Sequence, residues 1–234
     1  MQTTLDCPSF IDLRAFANEA APHHGRDPFG ADRRLVPLRG GPLEVGSIDV
    51  PAGTGMVRAS AGDCFMIVVE GEVAIDTRRL RAGDCCVVSG GTPFGWSAGA
   101  PARLIFMRHQ SGAVDARGIA RIDAEAELAP SNPPLADLLI GETPACRNHT
   151  TFRSSDGDFT CGVWDSTPYH RIAMSYRHFE LMYLLSGSVT FVDAAARERT
   201  FTKGDIFLVE QNAECSWESR DHVAKVYAIY RPVA

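Results

Sequence analysis

Two stretches of this chain repeat each other, and a tandem repeat constrains the architecture before any motif is read. Val45-Gly46-Ser47-Ile48-Asp49 lies on Cys161-Gly162-Val163-Trp164-Asp165, and Glu70-Gly71-Glu72-Val73 on Ser186-Gly187-Ser188-Val189, both at an offset of 116 (162 − 46 and 187 − 71). Further on the offset is 121 (204 − 83 and 217 − 96), placing Ala82-Gly83-Asp84 on Lys203-Gly204-Asp205 and Gly95-Trp96 on Ser216-Trp217. The order of the anchors is kept with a single gap. A five-residue insertion between Val189 and Gly204, in a loop joining two strands, explains the change.

Each copy reads as short apolar strands punctuated by Gly-rich turns. The first holds Ile67 to Val69, Val73 to Ile75, Cys85 to Val88 and Leu104 to Met107. The second holds Met182 to Leu185, Val189 to Val192, Ile206 to Val209 and Val223 to Tyr230. Such spacing predicts an all-β fold of antiparallel sandwiches or barrels. One helix is expected over Ala15 to Ala21, with Asp12 as its cap and the Pro22-His23-His24-Gly25 turn behind it. The predicted units are a first barrel with an N-terminal arm (residues 1–112), a Pro-rich connector with a short helical turn (113–148) and a second barrel (149–234).

Charge and cysteine content narrow the partners. Lys plus Arg is 23 against 29 for Asp plus Glu, a net charge of −6 without a basic tract, so nucleic acid and anionic membrane are poor partners. The seven cysteines are odd in number and contain no C-x-x-C, which argues against a disulfide framework or a zinc knuckle and for a reducing cytoplasm. Nothing near Met1 to Asp6 reads as a targeting segment.

At the repeat the chain resembles the cupin superfamily, small double-stranded β-barrels of the RmlC-like jelly-roll type, and in duplicate it resembles a bicupin. Glu180 and Gly187 have the spacing of the end of the first cupin motif, and Gly83-Asp84 and Gly204-Asp205 match the opening of the second. The run from Gly162 to Pro168, then Tyr183 to Gly187, Gly204-Asp205 and Trp217, is similar to the (S)-ureidoglycine aminohydrolase type, in which the second barrel binds manganese and hydrolyses a small ureide. Residue by residue, the two motif His positions fall on Met174 and Tyr176 and the second-motif His on Cys215, leaving Glu180 as the one expected ligand. In the first copy these positions are Arg58, Ser60, Cys64 and Phe94, so no metal is expected there.

Strand alternation would place Met174, Tyr176, His178 and Glu180 on one face, if no bulge intervenes. His178 and Glu180 could then hold a divalent metal (manganese, iron, nickel or zinc), with Tyr176 or Cys215 completing a distorted site. The alternative, which the pattern favours, is that the same two residues form a buried polar pair that satisfies itself. A third reading makes Cys215 a nucleophile with His178 as base and Glu180 as orienter. Trp164 is a candidate pocket wall, Trp96 and Trp217 are expected to close the barrels by packing, and Arg58 is a candidate carboxylate anchor in the first barrel. The expected function is binding, with hydrolysis as its catalytic extension, of a small polar metabolite, a ureide or carboxylate, in the second barrel. The alternatives are a metal-free sensor or binding protein and a non-catalytic structural bicupin. If it is an enzyme, the resemblance implies a metal-dependent hydrolase, and a homodimer as its assembly.

Overall fold

A computed structural model describes residues 9–19, 25, 27–110 and 115–232. Cys7, the His23-His24 pair and the first six residues lie outside the described residues. The fold is all-β, in four antiparallel sheets: six- and four-stranded in the first half, seven- and five-stranded in the second. Every predicted strand is present, most of them extended by one or more residues, as in Asp63–Glu70, Ala102–His109, Phe179–Ser186 and Ser188–Val192. The helix runs Leu13–Asn18, and the Asp12 carboxylate accepts from the Ala15 N–H as its cap. The connector holds a 3-10 turn, Ala136–Leu138. Among the described residues no helix is long and apolar enough to cross a membrane.

The repeat survives at the level of single hydrogen bonds. In the first half Gly83 N–H donates to Val68 O (2.8 Å), and Val68 N–H donates to Asp84 O (3.1 Å). In the second, Gly204 N–H donates to Leu184 O (2.8 Å), and Leu184 N–H to Asp205 O (3.1 Å). The Asp84 and Asp205 carboxylates close the same turns by accepting from Arg81 N–H and Thr202 N–H. The insertion lies where the offset changes: the tight turn between Glu72–Ile75 and Arg78–Arg81 is matched by a longer loop between Ser188–Val192 and Glu198–Thr202.

Strand parity sorts the core into three parts. Phe65, Ile67, Ile105 and Met107 face one core, which they share with Leu181, Leu208, Val226 and Ala228 of the second half. Their neighbours in sequence face inward instead: Met66, Val68, Leu104 and Phe106 fill the first sandwich, and Met182, Leu184, Phe207 and Val209 the second. The two large sheets are therefore covered on both faces, which is why their strands read as unbroken apolar runs.

The ends of these sheets are exchanged. Phe10–Asp12, which precedes the first half, pairs with Ile206–Val209 of the second. Ile119–Ile122, which precedes the second half, pairs with Cys85–Val88 of the first. Each occupies the same edge position in its sheet. The N-terminal arm was expected with the first barrel, but its strand joins the edge of the seven-stranded sheet, and Phe10 packs there against Phe191 and Phe201. The physical reason is edge protection: an open strand edge binds any available partner, and the preceding segment of the other copy supplies one.

Gly83 (φ +95°) and Gly204 (φ +94°) sit in a region that L-residues rarely adopt. A Cβ at Gly204 would meet open space, so strain there is purely backbone. We expect Gly83→Ala and Gly204→Ala each to lower stability by about 1–2 kcal/mol in urea unfolding. Equal losses test the structural equivalence of the two turns.

Candidate functional site

The inward face of the second sandwich carries polar groups among its apolar ones. Glu180 lies on Phe179–Ser186 and Lys225 on the adjacent Val223–Tyr230, and the parity that turns Met182 inward turns both of these inward as well. Lys225 Nζ donates to Glu180 Oε1 at 2.9 Å, with both side chains 8% exposed. His178 Nε2 lies 3.3 Å from Glu180 Oε2, and Arg231 Nη2 lies 3.3 Å from His178 Nδ1. A guanidinium can only donate and a carboxylate only accept, so this chain fixes the imidazole with its proton on Nε2. Lys225 Nζ also stands 4.6 Å from the Trp164 ring centroid and 5.1 Å from that of Trp217, within cation–π range of both.

Burial pushes the Glu180 carboxyl up. The Lys225 ammonium and the His178 hydrogen bond outweigh it and hold the group at about 2. Burial pushes the Tyr176 phenol well above its ordinary range, with Arg171 pulling weakly the other way. The Cys215 thiol is pushed up to about 11 by burial, against Arg171.

Tyr176, His178, Glu180, Lys225 and Arg231 line a cavity of about 1010 Å³. Of the residues expected to build the site, Trp164, Tyr176, His178 and Glu180 are on its wall. Cys215 is fully buried behind it and does not line it. A buried thiol pushed up to about 11 is a poor nucleophile, so the Cys215 reading fails on both access and ionisation. Arg58 belongs to a different cavity, in the first sandwich. The expected single strand face is also corrected: the pairing slips between Arg171 and Met174, and residues 176–178 turn between Tyr169–Ser175 and Phe179–Ser186. The turn is pinned by Tyr176 N–H to Ala213 O (2.8 Å) and Asn212 N–H to Tyr176 O (2.7 Å), and it brings the Tyr176 and His178 rings to 5.3 Å. Trp96 and Trp217 pack in the two interiors.

Sequence reasoning missed Lys225, Arg171, Arg177 and Arg231. Lys225 had left a signal: one lysine in the middle of the apolar strand Val223–Tyr230. The three arginines are scattered and carry no spacing of their own.

A divalent ion does not fit the residues of this cavity. Glu180 has both oxygens engaged, His178 has both nitrogens engaged, and the phenol and thiol nearby are held protonated. The Lys225 ammonium already takes the electrostatic role of a cation beside the carboxylate, and a second cation there would be repelled. A separate set of ligand-type atoms, on His109, Asp156 and Asp158, lies within 4.8 Å of one another; Asp156 Oδ1 accepts there from Ser154 Oγ and Asp158 N–H.

Paired antiparallel sheets closing over a cavity with an inward Glu from the first motif define a cupin, and residues 153–227 match the model of the EutQ-like cupin domain family. The chain belongs to the DUF861 family: it is 30% identical to a DUF861 protein of unknown function from Pseudomonas syringae pv. tomato, over 89% of this chain and 90% of that one, with a TM-score of 0.81. Two more distant structures share the fold alone. They are a salicylate 1,2-dioxygenase from Pseudaminobacter salicylatoxidans (13% identity, 94% and 83% coverage, TM-score 0.58) and a cupin 2 conserved barrel domain protein from Leptotrichia buccalis (10%, 95% and 96%, 0.55). No curated protein matches the sequence.

Lys225→Met leaves the Glu180 carboxylate buried without its ammonium, and we expect a loss of about 3–5 kcal/mol, most of it recovered in Glu180→Leu/Lys225→Met. The depressed Glu180 value gives stability that is present above about pH 4.5 and is lost as pH falls toward 2. Urea unfolding across that window should therefore show a steeper acid loss in the wild type than in the double variant. Identical profiles would contradict the pair.

Proposed function

We propose that the chain is a bicupin whose second barrel binds a small anionic metabolite of the carboxylate or ureide class without using a metal. In this reading residues 1–112 form the first barrel, 113–148 the connector and 149–234 the second barrel, with the first strand exchanged as described. One observation carries the reading. The second cavity is walled by Arg153, Arg171, Arg177, Lys225 and Arg231 against two carboxylates, Asp158 and Glu180, although the chain as a whole carries −6. Cationic walls around a low-dielectric hollow concentrate anions. Trp164, Tyr169 and Trp217 supply flat apolar surface for the rest of the ligand.

Hydrolysis by the ureidoglycine-aminohydrolase route would need a metal, and the donor set does not fit one, so binding is the function we assign. The buried free thiols Cys64, Cys85, Cys86, Cys146, Cys161 and Cys215 suit a reducing, cytoplasmic setting. Exposed Leu135, Ile140 and Ile172 offer apolar surface for a homodimer.

N-carbamoylglycine joins a ureide to a carboxylate and is a suitable probe. Calorimetry at low salt should show one ligand taken up in the second cavity, weakened about tenfold or more by Lys225→Met and by Arg171→Gln, each charge-assisted contact being worth that much. Added manganese should change nothing. Binding that requires manganese, or that ignores both substitutions, contradicts the reading.

A further inference from the structure

The first sandwich has a cavity of its own, about 880 Å³, built on different chemistry. At the position of Glu180 stands Cys64, whose thiol burial holds protonated, and at the position of Lys225 stands Leu104. The floor is therefore uncharged: Cys64, Met66, Ile48, Val88 and Phe106 line it. The charges sit at one end of the same sheet face: Arg108 follows Phe106 by two residues and pairs with Glu44 and Cys64, and the Arg33 guanidinium stands 5.5 Å from the Phe106 ring centroid. Glu44 Oε2 accepts from Arg33 Nη1 (2.8 Å) and from Nε (2.9 Å) and Nη2 of Arg108, while Glu44 Oε1 accepts from Gln110 Nε2 (2.8 Å).

Two guanidiniums thus share one carboxylate oxygen, Oε2 of Glu44. Arg108 has a side chain only 7% exposed, and Arg33 14%. Arg33 Nε is used by Gly30 O. Arg33 Nη2 and Arg108 Nη1 donate to no group among the described residues, and both belong to side chains on the cavity wall. Arg58, exposed, adds a third cation to the cavity lining, and it has no ion-pair partner among the described residues. Asp27 is the other carboxylate there, and its Oδ2 is taken by the Ala31 N–H. Three cations against two carboxylates leave an excess positive charge at the edge of an apolar floor.

We propose that this first cavity is a second, separate binding site, for a monocarboxylate with an apolar or aromatic body. The carboxylate is received by Arg58 and the unused N–H groups of Arg33 and Arg108, and the body lies on Phe106, Met66 and Ile48. Guanidinium forks match a carboxylate's two oxygens, and a buried acid without such a partner would stay in water. The site is independent of the second cavity: it uses neither Lys225 nor Glu180.

Benzoate is the probe, with benzamide as its neutral isostere. On the full chain, calorimetry should show benzoate binding and no benzamide binding. Arg58→Gln, at an exposed position, should weaken benzoate about tenfold, and Met66→Trp, which fills the floor, should abolish binding; Glu180→Leu/Lys225→Met, which removes the charged pair of the second cavity, should leave it unchanged. Arg108→Gln should also abolish it, with circular dichroism checking that the fold remains. Failure of the wild type to bind benzoate overturns the proposal. So does binding that survives Arg58→Gln and Met66→Trp at full strength, or that is lost in the folded Glu180→Leu/Lys225→Met double variant, which would place benzoate in the second cavity.

Discussion

The two large sheets are buried on both faces, and this constraint governs what the chain can place inside itself. A strand covered on both sides has no solvent-facing residue to carry charge, so any charge it bears must be paired where it stands. Four such pairs are found on these strands: Lys225 with Glu180, Arg108 with Glu44, Arg103 with Asp49 at 2.7 Å, and Arg147 with Asp165. Two of the four line cavities, so those charges are kept where a ligand could meet them. Edge exchange serves the same constraint, since each sheet receives its outer strand from the segment that precedes the other half.

The halves began alike and diverged inside. The turns, their glycines and their aspartate caps are held in both, because these set the strand register. The interior changed in a coupled way: where the second half has Glu180 and Lys225, the first has Cys64 and Leu104. Either partner alone would leave a charge buried without compensation, at a cost of several kcal/mol, so the pair is present or absent as a unit. The motif carboxylate that a cupin commonly presents to a metal is here met by an ammonium on the adjacent strand, four residues along in register.

Much of the fold was legible in the sequence. The repeat, the insertion, the strands and the Asp12-capped helix are written in local signals: apolar runs, glycines that must adopt positive φ, and a capping carboxylate. The exchanged strands were not legible, because Phe10–Asp12 and Ile119–Ile122 are short and nothing local says which sheet they join. The site was half legible. Tyr176, His178 and Glu180 do converge, but through a turn and not along one strand, and their partners Lys225 and Arg231 come from more than forty residues away in sequence. Cys215 occupies a motif position and faces the packed interior instead, since pairing register, not motif alignment, decides which way a side chain points.

The central claim is that an ammonium, not a metal ion, compensates Glu180 in the second cavity. Elemental analysis of untagged protein after reconstitution with manganese, iron, nickel and zinc tests it most directly, with Glu180→Ala alongside. The account predicts that the wild type and Glu180→Ala hold the same trace amount. About one ion per chain in the wild type, lost in Glu180→Ala, would contradict it.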